Sequence, residues 1–516
     1  MRRSMMLAVV VGLVLSPLSM VSPATADPTP LPADPNERVA LTALDTAGRV
    51  LAGDARPTDP SATVALRDLW LARPDLTGTE AAEATALLAR PTDGPADPFG
   101  NGYTVPSTSQ CGAHVCVHYV PTTADAPPSV DWVALNLATM EAVYEREVNQ
   151  LGFRAPRPDG TNGGNGLLDV YLKDLGTGLY GYCAAEFRKK GRTASGFCVL
   201  DNDYSAAQFP AQTPEANLTV TAAHEFFHAV QYSYDYDEDP WMLESTATWM
   251  EEQVADDIND NRQYLRYSQL QAPFVPLDAF SSTYGFQYGN WIFWQYLTDR
   301  FGTKFTKLAW ESAGSLKGDG GKYSTEAIAS VLRKKKQSLT NVYADFAAAN
   351  IVPSSTYPEA PGVAEYANPP VLADVTLTKG QKKFRQRAKV DHLAADAMHV
   401  RPGADLAGKK WRLRVSVKAP RRLQGAAARL VIHKTNGKVA FRTVKFNRRN
   451  NAVRTVPFSA AKVSAVSVSF ANVSTRFKCK AGTTFACGGR ALQDNAKFTI
   501  TSKVVKKAKR KHKHKH

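Results

Sequence analysis

The stretch TVTAAHEFFHAVQYSYDYDEDPWMLESTATWMEE, residues 219–252, holds His224, Glu225 and His228, followed by Glu244 and Glu251. Two histidines four residues apart share one face of a helix, about one turn from each other. Placed so, two imidazoles can bind a single zinc ion. Glu225, next to the first of them, can reach a water on that ion. The spacing therefore offers two ligands and a general base on one rigid element. The competing reading is a chance match on an ordinary core helix, expected in roughly one chain per hundred of this length.

A catalytic zinc takes three protein ligands and keeps one position open. A metzincin pattern needs glycine and histidine where this chain has Gln231 and Tyr234, and no further histidine precedes His392. A carboxylate is the remaining choice. Thr213 and Pro214 form a helix start, and the first helix should end near Tyr232. The loop SYDYDEDP then turns the chain back into a second helix, WMLESTATWMEEQV. In an antiparallel pair Glu244, in the first turn of the second helix, faces His228. Glu251 lies about 10 Å further along the axis on the same face, suited to hold a ligand rather than to be one. The expected metal set is His224, His228 and Glu244, with Glu225 as base and Glu251 behind. Tyr288 in FQYGNW is the first candidate to stabilise a developing oxyanion, and Tyr284 the second.

At these residues the chain resembles the gluzincin metallopeptidases, in which H-E-x-x-H on one helix is completed by a glutamate on the next. WMLESTATWME is similar to the W-x-x-E-G-x-A-x-W/Y-x-E segment of the M1-type aminopeptidases. With HEFFHAVQYSYD and YGNWIFWQYL added, residues 100 to 350 resemble a family of secreted bacterial metalloproteases. The resemblance implies a zincin-like α+β fold and zinc-dependent peptide hydrolysis. Two features depart from it. The loop between His228 and Glu244 is shorter than in thermolysin- and M1-like enzymes, and Thr248 stands where a thermolysin-like aspartate would fall.

Around this motif the order is strands first, then the helix pair, then a mostly helical stretch to Ala349, which is an α+β order. Trp291, Trp294 and Leu297 recur on neighbouring turns and read as core. In RPDGTNGGNGLLDVYL, Asp159, Asn162, Asn165 and Asp169 offer oxygens to a structural Ca²⁺. The spacing is not that of an EF-hand, so a plain turn is the simpler reading. After a linker-like stretch at 353–370, short strands at close spacing mark an all-β sandwich. The domain expectation is a signal peptide at 1–26, a helical pro-region or N-terminal arm at 27–95, and a zincin-like domain at 96–352. A linker at 353–370, a basic β-sandwich at 371–503 and a Lys/His tail at 504–516 follow.

Arg2 and Arg3, a short apolar run and Ala24-Thr25-Ala26 make the N-terminus a secretory signal, which places the protein outside the cell, with cell-wall association allowed by its charge. An oxidising compartment lets the six cysteines form three local bridges, Cys111–Cys116, Cys183–Cys198 and Cys479–Cys487; no Cys-x-x-Cys spacing supports a metal cluster. The net charge of +15 conceals a division. Residues 371–516 hold 36 Lys and Arg against five Asp and no Glu, whereas the rest is acidic. Such asymmetry marks modules with different partners. A peptide or protein substrate is expected at the zinc, and an anionic cell-envelope polymer at the basic part. Neither a base-stacking motif nor a phosphate loop supports a nucleic-acid enzyme, and no later segment is apolar enough to cross a membrane. The alternative to a secreted zinc metallopeptidase is a catalytically inactive surface- or polyanion-binding protein. An intact Glu225 favours the enzyme.

Overall fold

The computed structural model describes residues 34–56, 59–93, 102–281 and 284–507. The expected signal peptide and the Lys/His tail beyond 507 lie outside these residues. Three helices open the described chain: α1 (Pro35–Leu51), α2 (Ala62–Ala72) and α3 (Gly78–Leu87). Ser61 caps α2 by accepting from the Val64 amide. Then come β1 (Thr108–Cys111), β2 (Val115–Tyr119), α4 (Val130–Tyr144), β3 (Leu168–Lys173), β4 (Gly181–Arg188) and β5 (Ala194–Asp201). These strands form one sheet in the order β1-β2-β3-β5-β4. The three middle strands are parallel and both edges antiparallel. The sequence of β3 and β5 is nearly continuous in apolar residues because both faces are covered.

Helix α5 (Pro214–Tyr232) lies across β5 and β4, and α6 (Pro240–Val254) runs back along it. Both starts follow the sequence. Thr213 accepts from Ala216 N and Pro214 opens α5; Asp239 and Pro240 open α6. Five further helices close the body: α7 (Phe286–Gly289), α8 (Trp291–Phe301), α9 (Lys304–Ala313), α10 (Thr325–Lys334) and α11 (Leu339–Ala349). Trp291, Trp294 and Leu297 are fully buried, as their spacing on α8 indicates.

The rest is two packed sheets and a separate two-stranded one. The strands are β6 (Asp374–Leu377), β7 (Lys383–Val390), β8 (Ala394–Pro402), β9 (Trp411–Lys418), β10 (Ala426–Lys434) and β11 (Val439–Thr443). They continue with β12 (Asn451–Pro457), β13 (Val463–Asn472), the short pair β14 (Phe477–Lys478) and β15 (Arg490–Ala491), and β16 (Ala496–Lys506). The inner sheet has the order β11-β10-β13-β8-β6 and the outer one β12-β9-β16-β7. Their facing sides share a core that includes Met398, Leu413, Leu430, Val468, Phe498 and Ile500. The protein is thus an α+β body carrying a β-sandwich.

The inner sheet is covered on its other face as well. Val431 and Ala397 pack on Ala348, Ile351 and Val352 at the end of α11. Arg429 pairs with Asp345 at 2.6 Å. His392 is fully buried between Asp278 of the body and Asp494 of the sandwich, 3.0 Å from each. Residues 353–370, read from sequence as a linker, are mostly exposed but anchored at points: Pro353, Tyr357, Ala360 and Tyr366 are buried, and Glu359 pairs with Arg262.

All three bridges join the local pairs expected from sequence. Cys183 and Cys198 face each other across the β4–β5 hairpin. Among the described residues, no helix is long and apolar enough to cross a membrane.

Candidate metal centre

The antiparallel packing of α5 on α6 brings His224, His228 and Glu244 together. One ligand atom from each lies within 4.8 Å of the others. Glu244 Oε2 is 3.2 Å from His224 Nε2 and 3.7 Å from His228 Nε2. The other ring nitrogens are engaged elsewhere. His224 Nδ1 is 2.7 Å from Glu251 Oε1, and His228 Nδ1 is 2.8 Å from Gln231 Oε1. Both acceptors favour a proton on Nδ1, which turns each Nε2 toward Glu244; that of His224 hydrogen-bonds the carboxylate, and would give up its proton to ligate a metal. Gln231 is itself fixed, its amide donating to Leu243 O and Thr246 Oγ1.

His228 Nε2 is the informative atom. It is buried and has no hydrogen-bond partner. Buried polar atoms are nearly always satisfied, so this orphan, aimed at a buried carboxylate, marks a place for a positive centre. A zinc ion fits the donor set: two imidazole nitrogens and a carboxylate oxygen.

The electrostatics follow from burial. Burial alone would raise the Glu244 carboxyl, but His228 and His224 hold it well below the carboxylate range. Burial lowers His224, yet its bonds to Glu244 and Glu251 overcome this and raise it well above a normal histidine. Glu225 is raised by burial against the pull of both histidines. Glu251 is pushed by burial up to about 7.

Glu225 is 6% exposed and lines the same cleft, of about 480 Å³, as the three candidate ligands. Its Oε2 accepts from Thr63 Oγ1 at 3.2 Å; Thr63 in turn accepts from the Cys183 amide of β4. Gly181 lets β4 approach this closely, since a Cβ there would meet Glu225 Cγ at 3.1 Å and Val199 O at 3.0 Å. Ser61, at the start of α2, donates to Glu244 Oε1, the oxygen turned away from the histidines.

Of the two tyrosines singled out, Tyr288 lines the cleft, its ring 6.0 Å from that of His224. Tyr284 is 52% exposed and packs at a tilt against Tyr267 and Phe286, and it is not among the residues lining the cleft. Tyr264, which packs on Tyr288 at 5.2 Å, also lines it. Ser61, Thr63, Gln231 and Tyr264 did not emerge from the sequence. Gln231 alone had a local signal, three residues beyond His228 on the same helix face.

The oxygens considered for calcium meet a different cation. Arg90 Nη2 is 2.5 Å from Asp159, Arg90 Nη1 is 3.4 Å from Asp169, and Arg90 Nε is 2.5 Å from Glu186. Asp169 also bonds His118 at 2.7 Å. Asn162 turns to the Asp159 carbonyl, and Asn165 accepts from Leu167 N. Beside Asp159 and Asp169 the positive charge comes from Arg90, in the segment that follows α3.

No known family matches the chain, and no curated protein matches it. Among solved structures, the pre-peptidase C-terminal domain of a collagenase from Bacillus anthracis is 12% identical with a TM-score of 0.16, covering 27% of this chain and 100% of that one. A family GH115 4-O-methyl-alpha-glucuronidase with specificity for decorated arabinogalactans is 8% identical with a TM-score of 0.13. It covers 70% of this chain and 54% of that one. At these scores neither likeness carries an argument about fold or function.

Proposed function

We propose that the protein is a secreted zinc-dependent metallopeptidase of gluzincin type with a zincin-like body. His224, His228 and Glu244 hold the metal. The observation that carries the reading is the orphaned His228 Nε2, buried beside Glu244 Oε2 with its other nitrogen held by Gln231. Bound zinc supplies a Lewis acid and lowers the pKa of water toward about 7.

The chain's own groups supply the rest. Thr63 occupies Glu225 Oε2, so Oε1 is the oxygen left to accept a proton from water and pass it to the leaving amine. Glu251 and Gln231 keep the imidazoles in the ligating tautomer. Tyr288, which lines the cleft with its ring 6.0 Å from that of His224, is the candidate donor to a developing oxyanion. The segment from α1 through Arg90, whose α1 and α2 ends line the cleft, is on this reading a permanent arm rather than a removable pro-region. Losing it would strip Arg90 from three buried carboxylates and the hydroxyls of Ser61 and Thr63 from the centre. The same reading assigns the basic C-terminal part to holding the enzyme on anionic envelope material.

The test is a broad peptide-library digest with the full chain, with and without a chelator. Cleavage that chelation abolishes and zinc restores is the expected result. Stoichiometric zinc with no cleavage of any peptide would replace the enzyme with the inactive binding protein.

A further inference from the structure

The positive charge of the sandwich is not spread evenly. In the outer sheet, alternate residues of each strand point away from the core. On β7 these are Lys383, Arg385, Arg387 and Lys389, all exposed. On β9 they are Arg412, Arg414, Ser416 and Lys418, and on β16 Lys497, Thr499, Thr501, Lys503 and Val505. Register aligns them in rows: Lys389 beside Lys497, and Lys383 beside Lys503 beside Arg414. Arg387, Thr499 and Lys418 form another row. The four strands contain no Asp or Glu, and among the described residues none of these cations has an ion-pair partner.

Like charges directly opposite on a sheet are destabilising. The fold therefore carries a repulsion that an anionic ligand would relieve. The cations of this face are exposed, Arg412 alone being half-buried. The inner sheet is covered by the body, so the outer face is the side of the sandwich turned away from α11 and the cleft.

We propose that this face is the docking surface for a linear polyol-phosphate polymer, whose phosphodiesters lie along the strands. Cations recur about every 6.7 Å along β7, with neighbouring strands about 4.8 Å away. A short polyol spacer between phosphates can match that step. Thr499, Thr501 and Ser416, between the cations, offer hydroxyl donors to phosphate oxygens. No aromatic residue points out of the face, so it lacks the stacking platform a single-stranded nucleic acid would use. It also lacks a row of large apolar side chains for entering a lipid layer. This rests on the reading of the basic part as a polyanion-binding module and is independent of the chemistry in the cleft.

The experiment uses the full chain and soluble poly(glycerol phosphate), with polyuridylate and phosphatidylglycerol vesicles as the other arms, at rising salt. A variant replaces Arg385, Arg387, Arg414 and Lys503 with Gln. A control replaces Lys438, Arg442, Lys445 and Arg448, exposed cations outside the face. We expect the glycerol phosphate polymer to bind best and to raise the melting temperature. The face variant should lose at least about tenfold in affinity, with the slope of log affinity on log salt falling by about three, and the control should change by less than threefold. Equal loss in both variants would sink the face while sparing the basic module. No binding by the wild type would sink both, and preference for polyuridylate or vesicles would reassign the ligand.

Discussion

In the cleft every charged side chain has a particular partner. Glu244 faces two imidazoles, Glu251 holds one of them, and Glu225 is tied to Thr63. On the outer sheet nine cations stand in rows with no carboxylate among them. The first region stores its information in single contacts, each buried and irreplaceable. The second stores it in repetition across a solvated face. Burial decides the difference: a charge out of water must be matched atom by atom, whereas an exposed one costs little until a polyanion arrives. Substitutions should therefore act all-or-none in the cleft and by degrees on the face.

The sharpest test of that contrast is Glu225→Gln. The amide keeps shape and burial but cannot accept the water's proton, so hydrolysis should fall by about 10² to 10⁴ while zinc is retained. Turnover within tenfold of wild type would remove Glu225 from the mechanism. A smaller loss is expected for Gln231→Ala, which frees His228 Nδ1; zinc affinity should drop by about 10- to 100-fold. Competition with a chromophoric chelator measures it, and unchanged affinity would make Gln231 a packing residue only.

The junction between the regions should respond to pH. His392, buried between Asp278 and Asp494, is raised to about 9 by its bonds to them despite the opposing effect of burial. A raised folded-state value means the stabilisation is complete below the unfolded value near 6.5. It is lost as pH climbs through about 9. The shift corresponds to up to about 3 kcal/mol. Melting temperature should fall between pH 6.5 and 9.5 in the wild type, and His392→Gln should be less stable at pH 6 with a flatter profile. Parallel profiles would show that the ion pairs do not couple the two parts. The smallest effect is predicted for one cation: Arg387→Gln alone should weaken polyanion binding by no more than about threefold, with a salt slope lower by about one. A single-site loss of a hundredfold would mean the face holds a specific pocket.

The α5–α6 pair was readable because its logic is local. Thr213-Pro214 and Asp239-Pro240 mark helix starts, and helical period fixes which of His224, His228, Glu244 and Glu251 share a face. The disulfides were readable for the same reason. Ser61 and Thr63 were not, because nothing near them in sequence points to a site more than 150 residues away; only the docking of α2 on β4 reveals it. Arg90 is equally remote in sequence from Asp159 and Asp169, which without it read as oxygens for calcium. Two sandwich strands leave little trace in the sequence. In β7 the outward positions are all Lys or Arg and the inward ones include Gln386 and Ala388, so the alternation is weak. In β8, Ala394, Ala395 and Ala397 are buried but too small to signal a strand.

The central claim is that Glu244 completes a metal site begun by His224 and His228, and zinc content per purified chain tests it most directly. The account predicts one zinc in the wild type and in Glu225→Gln, and a loss of most of it in Glu244→Ala. Full occupancy in Glu244→Ala, or a wild-type chain that takes up no zinc when it is supplied, would contradict it.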